Sequence, residues 1–192
     1  MTIIDPRTNG PPSVGRRNTE TQDDLHLHAL AHAVAVAVRQ VDQRMLAGVG
    51  GSENNVAFEP RTLLAILTFC YAREIYGSAE VAARLRRDEN LRRLCADDTP
   101  DPNTLRRFRI RNRLALNFCL KAALRFLAEE KIAQGLLTKV SEEHVAEEAS
   151  RRVISAMFTD SLELDKDRSC GGPACPTIEL CLSVAKRATA VH

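Results

Sequence analysis

FEPRTLLAILTFCYAREIYG, residues 58 to 77, is the stretch on which the fold turns. Pro60 stands at a first helical position, where its missing N–H costs nothing, and Gly77 is a natural stop. Between them Leu63, Leu64, Ile66, Leu67, Cys70, Tyr71 and Ile75 recur at helical steps and cover more than half of the circumference. A surface helix needs only a narrower apolar stripe, so this pattern predicts the most central helix of an all-α, compact multi-helix domain.

The pattern extends in both directions. Upstream, Leu27, Leu30, Val34, Val38, Val41 and Met45 recur at three- and four-residue steps, which predicts a helix from Leu25 to Leu46, closed by the loop GVGGSENN, Gly48 to Asn55. Residues 1–24 are polar, rich in Pro and Gly and without period, so they read as a flexible N-terminal arm that buries too little to offset its ordering entropy. Downstream, Ser78 can cap the short helix SAEVAARLRR and Asp88 the short helix ENLRRLC. DDTPDP then breaks the chain, Asp101 caps the next helix, and Pro102 fills its first turn.

That next helix is expected to run from Pro102 to Lys131 on a stripe of Leu105, Phe108, Asn112, Leu116, Cys119, Ala123 and Leu127, with Gly135 as its first stop. Ser141 caps a last amphipathic helix that packs through Val145, Ala149, Val153, Ala156 and Met157. The domain is thus expected at 25–164, followed by a tail over 165–192.

Composition agrees. At 192 residues there is room for one domain; 44% apolar and 27% charged residues with 4% aromatic and no Trp suit helices better than a β-sandwich. No apolar run approaches the roughly 18 to 20 residues of a membrane span and no signal-peptide core is present, so the expected location is the cytoplasm, with no membrane partner. Cys70, Cys95 and Cys119 lie in apolar helical patterns and read as buried reduced thiols.

The net charge of +2 hides a dipole. Ser78 to Arg113 holds ten arginines against six carboxylates, a surplus of four, whereas Ala128 to Asp167 holds five basic and ten acidic residues. The densest part is PNTLRRFRIRNR, where Arg106, Arg109 and Arg113 line one flank of the helix and Arg107 and Arg111 the other. Like charges at this spacing destabilise a helix, so an anionic partner is implied. The planar donor fork of Arg suits phosphate and the O6/N7 edge of guanine.

Two short helices followed by a capped, arginine-rich third form a helix-turn-helix-like pattern. On it the candidate DNA-binding residues are Asn103, Thr104, Arg106, Arg107, Arg109, Arg111 and Arg113, with Arg84 and Arg87 on the preceding helices. The rival reading is a helical protein–protein interaction module, using the acidic helix from Ser141 to Asp160 for dimerisation or partner docking, without DNA.

Over NNVAFEPRTLLAILTFCYAREIYGSAEVAARLRRDENLRRLCADDTPDPNTLRRFR, residues 54 to 109, the chain resembles the N-terminal domain of bacterial insertion-sequence transposases of the DDE type. The shared landmarks include Phe58, Pro60, Arg61, Tyr71, Tyr76, Ser78, Asp88, Pro100, Asp101, Thr104, Arg107, Phe108 and Arg109. Where the family pattern has Gly before its tyrosine this chain has Glu74-Ile75-Tyr76, and where Ser-Arg often follows it has Ser78-Ala79.

The resemblance implies an all-helical domain that binds double-stranded DNA at the terminal inverted repeats of a mobile element. Its implied protein partners are a second copy or a full-length transposase. Relatives continue into an RNase H-like nuclease with three separated carboxylates and two metal ions. Here Asp160, Asp165 and Asp167 form only a local cluster, read as a solvated helix end, so the expectation is no enzyme unless another chain completes the nuclease, and no metal and no cofactor. His26, His28 and His32 read as surface histidines, and Cys170, Cys175 and Cys181 as tail thiols without the spacing of a zinc site.

Overall fold

The computed structural model describes residues 15–49, 58–88, 91 and 99–169, with side chains from Leu25 to Lys166. Six helices and no strand occur among the described residues: α1 (Gly15–Gln40), α2 (Pro60–Ala72), α3 (Ser78–Arg87), α4 (Pro102–Arg111), α5 (Arg113–Ala133) and α6 (Glu142–Ser169). A single 3-10 turn lies at Gln43–Met45.

The seven apolar positions that predicted a central helix are all buried, and Thr68, Phe69 and Ala72 join them. Hydrophobic all round, α2 packs against α1, α4, α5 and α6. The long α5 packs in turn on α1, α2 and α6, and α3 lies on α4. The stripe from Leu105 to Ala123 is buried throughout, and each large side chain in it contributes about 1.5–3 kcal/mol by leaving water.

α2 ends in a Schellman turn: Ile75 N donates to Cys70 O and Glu74 N to Tyr71 O. Glu74 takes the left-handed conformation there, with φ of 63°, where glycine is the ordinary residue. Arg152 of α6 closes the same end, donating to Tyr71 O at 2.9 Å and Ala72 O at 2.8 Å and pairing with Glu74 at 2.9 Å. Gly135, at φ 72°, ends α5 as expected.

Several expectations are corrected. α1 starts at Gly15, within a polar segment that carries no apolar stripe for pattern reading to detect. It stops at Gln40, and the Asp42-capped turn that follows leaves Met45 77% exposed instead of on the buried stripe. The helix expected over Pro102 to Lys131 is two helices, broken at Asn112. Asn112 stays in the core, where its amide accepts from Ala47 N at 2.8 Å and donates to Ala47 O at 3.0 Å and Phe108 O at 3.1 Å. A side chain spent on the turn after α1 sets the break, and the stripe remains in phase across it.

Asp101 caps α4 as predicted, accepting from Asn103 N at 2.8 Å and Thr104 N at 3.0 Å. Cys70 and Cys119 are buried and reduced, and burial pushes the Cys119 thiol up to about 12. No described helix is long and apolar enough to cross a membrane. The arm before Gly15, most of the helix expected at ENLRRLC with Arg92, Arg93 and Cys95, and the tail cysteines lie outside the described residues.

Candidate nucleic-acid interface

The arginine-bearing helix α4 is fixed from both sides. Asp101 and Pro102 define its start, Leu105 and Phe108 bury one face on α2, and Asn112 ties its end to the turn after α1. Arg111 extends that tie, donating to Gly48 O at 3.3 Å. Exposed Arg44 lies in the same turn, a cation the sequence pattern did not single out.

Nine candidate residues separate into two groups. Asn103, Arg107 and Arg111 are exposed and four residues apart, so they form one outward stripe along α4. Arg113 is exposed at the start of α5, and Arg84, Arg87 and also Arg86 are exposed at the end of α3, which packs on α4. Arg84 pairs with Glu80 one turn away at 2.7 Å.

The other three turn inward. Thr104 is fully buried and donates to Asp101 at 2.6 Å, completing the cap. Arg106, expected on an open flank, keeps 14% of its side-chain surface and pairs with Glu163 at 3.2 Å. Arg109 keeps 3% and is bonded to Asp160 of α6, with Tyr71 Oη at 2.9 Å and Ser78 Oγ at 3.4 Å as further partners. These two arginines are corrected from surface contacts to internal cations: α6 crosses the flank of α4 on which they stand and brings its carboxylates to them.

Asp160 is the center of this anchor. Read from sequence as a solvated helix end, it is 3% exposed. Its carboxylate accepts from Ser78 N at 2.7 Å and Ser78 Oγ at 2.6 Å as well as from Arg109. Asp160 therefore caps α3 from across the fold, the role expected of Ser78's own side chain.

Burial pulls the pKa of Arg109 down, but Tyr71 and Asp160 more than offset it, so the guanidinium sits above its ordinary value and stays charged. Burial also raises the Tyr71 hydroxyl to about 12, so Tyr71 stays neutral in the anchor. Tyr71, Ser78 and Arg109 are all landmarks of the family pattern, and here they form a single buried network that holds α2, α3 and α4 in register. Gly77 lies beside it: a Cβ there would come within 2.5 Å of Glu163 Oε1, the tip of a flexible side chain.

Chemically the open face offers guanidinium forks and one amide to an anionic, hydrogen-bonding partner. His26 pairs with Glu130 at 2.7 Å, and no group of three or more His, Cys, Asp or Glu positioned for a metal occurs among the described residues.

Fold and site together define an all-α domain in which a capped arginine helix is held at the surface by a buried ion pair. Its family follows from comparison: residues 22–111, which span most of α1 and all of α2 to α4, match the family described as Transposase domain (DUF772), and this segment belongs to that family. The chain has no significant match among curated proteins or among solved structures.

Proposed function

We propose that the protein binds duplex DNA through α4 and the end of α3, recognising the terminal inverted repeats of a mobile element in a role connected with transposition. The observation that carries this reading is the outward stripe of Asn103, Arg107 and Arg111, flanked by exposed Arg84, Arg86, Arg87 and Arg113 on a transposase-family domain. A rigid helix presenting forked donors fits the major groove, and surrounding cations fit phosphate. Asn103, near the helix start, suits adenine; Arg107 suits guanine.

The reading gives the chain no strand cleavage of its own.

The test is fluorescence anisotropy with duplexes bearing terminal inverted repeats of insertion sequences, against scrambled duplexes, over a series of salt concentrations. Arg107→Ala is expected to weaken specific binding by about 1–3 kcal/mol, and Arg86→Ala with Arg87→Ala to flatten the salt slope by about 0.9 per lost phosphate contact. Equal affinity for both duplexes and for all variants would end the proposal. A second reading, a protein-interaction module, is favored by the internal neutralisation of Arg106 and Arg109 and by the exposed apolar side chains of α6.

A further inference from the structure

α6 carries two apolar faces. Val145, Ala149, Val153 and Ala156 are buried on the bundle. On the opposite side Ile154, Phe158 and Leu162 are 52%, 64% and 47% exposed. Spaced four residues apart, these three fall within about 80° of arc, and Arg151 and Asp165 lie on the same stripe beyond its two ends. Exposed apolar stripes of this kind mark contact surfaces, and the charges at the two ends state what fits.

Counted from Phe158, the stripe is mirror-like in chemistry. Ile154 stands four residues before and Leu162 four after; Arg151 stands seven before and Asp165 seven after. Two identical helices packed antiparallel about a twofold axis at Phe158 bring positions of equal and opposite offset together. Phe158 then meets Phe158, Ile154 meets Leu162 twice, and Arg151 meets Asp165 twice. An unrelated partner gives no reason for opposite charges at mirrored positions.

We propose that the exposed face of α6 is a homodimer interface whose occupant is α6 of a second copy, antiparallel about Phe158. Arg151 is available for the contact: its side chain is 75% exposed, and the Glu148 carboxylate it touches also accepts from Arg152 at 2.6 Å, so Glu148 keeps a partner when Arg151 turns outward. Ser150, Ile154 and Ser155 line a groove with Lys121 of α5 beside the stripe, which gives the apolar center a polar rim. The interface lies on the outer face of α6, across that helix from the side that holds Asp160 and Arg109.

Sedimentation velocity on the full chain over a wide concentration range tests this. A reversible dimer is expected, lost in Phe158→Asp with helical circular dichroism unchanged and with the parent's melting temperature at concentrations where the parent is itself a monomer. Arg151→Asp and Asp165→Arg should each raise the dimer Kd by roughly tenfold, which corresponds to about 1.4 kcal/mol. The double exchange should bring it back to near the parent value. A monomer at every concentration, a dimer indifferent to Phe158→Asp, or a double exchange no better than the single changes would overturn the proposal.

Discussion

Asp160→Ala removes the carboxylate that joins α6 to Arg109 and to the start of α3. Arg109 would stay buried with only the Tyr71 and Ser78 hydroxyls near its charge. An uncompensated buried cation costs about 3–5 kcal/mol. Losing the acceptor for Ser78 N adds about 1 kcal/mol, the usual effect of a lost N-cap. The total, about 4–6 kcal/mol, approaches the whole stability of a small domain, and with both partners almost fully buried no discount for solvent screening applies.

Urea denaturation followed by circular dichroism measures the loss as a lower midpoint. The paired change Arg109→Met with Asp160→Leu should recover all but about 1–2 kcal/mol, since a buried ion pair replaced by apolar groups of similar size is close to neutral. If Asp160→Ala loses less than about 1 kcal/mol, or if the paired change is as damaging as its two halves added, the buried-anchor reasoning is wrong.

Asn112→Ala should cost about 1–3 kcal/mol by leaving the turn at Ala47 without its amide partner, read as a lower melting temperature. Glu74→Gly should stabilise by roughly 0.5–1 kcal/mol despite losing its exposed contact with Arg152, because glycine accepts φ of 63° without strain; a destabilised variant would contradict this. Glu163→Gln should raise DNA affinity and steepen its salt dependence by releasing Arg106 from its pair, and unchanged binding would place Arg106 outside the interface.

Alkaline pH should destabilise the fold. Cys119, raised from 9.0 to about 12, keeps its proton in the folded chain while the unfolded chain loses it. Its stabilisation is complete below pH 9 and is lost as pH rises toward 12, by up to ~1.4 kcal/mol per pH unit. Melting of Cys119→Ala from pH 8 to 12 should fall less steeply than that of the parent chain.

Local chemistry made much of the fold legible. α2 announced itself by apolar residues around most of its circumference, α4 by Asp101 and Pro102, and the end of α5 by Gly135. Long-range chemistry was hidden. Nothing near Asp160 separates it from Asp165, which is exposed; only the approach of Ser78 and Arg109 makes it a buried acceptor. Arg109 and Arg107 are indistinguishable as letters, and which one faces water depends on where α6 crosses. Asn112 carried a faint signal, an amide on an otherwise apolar stripe, which marked a place where the backbone needed a partner.

Asp160 also separates ancestry from autonomy. The recognisable transposase segment closes at residue 111, yet the counterion that lets Arg109 sit inside it is supplied by the last described helix. A graft cut at the edge of that segment would inherit a stranded cation and an uncapped α3, so what was passed down as a unit of sequence is not a unit that can stand alone.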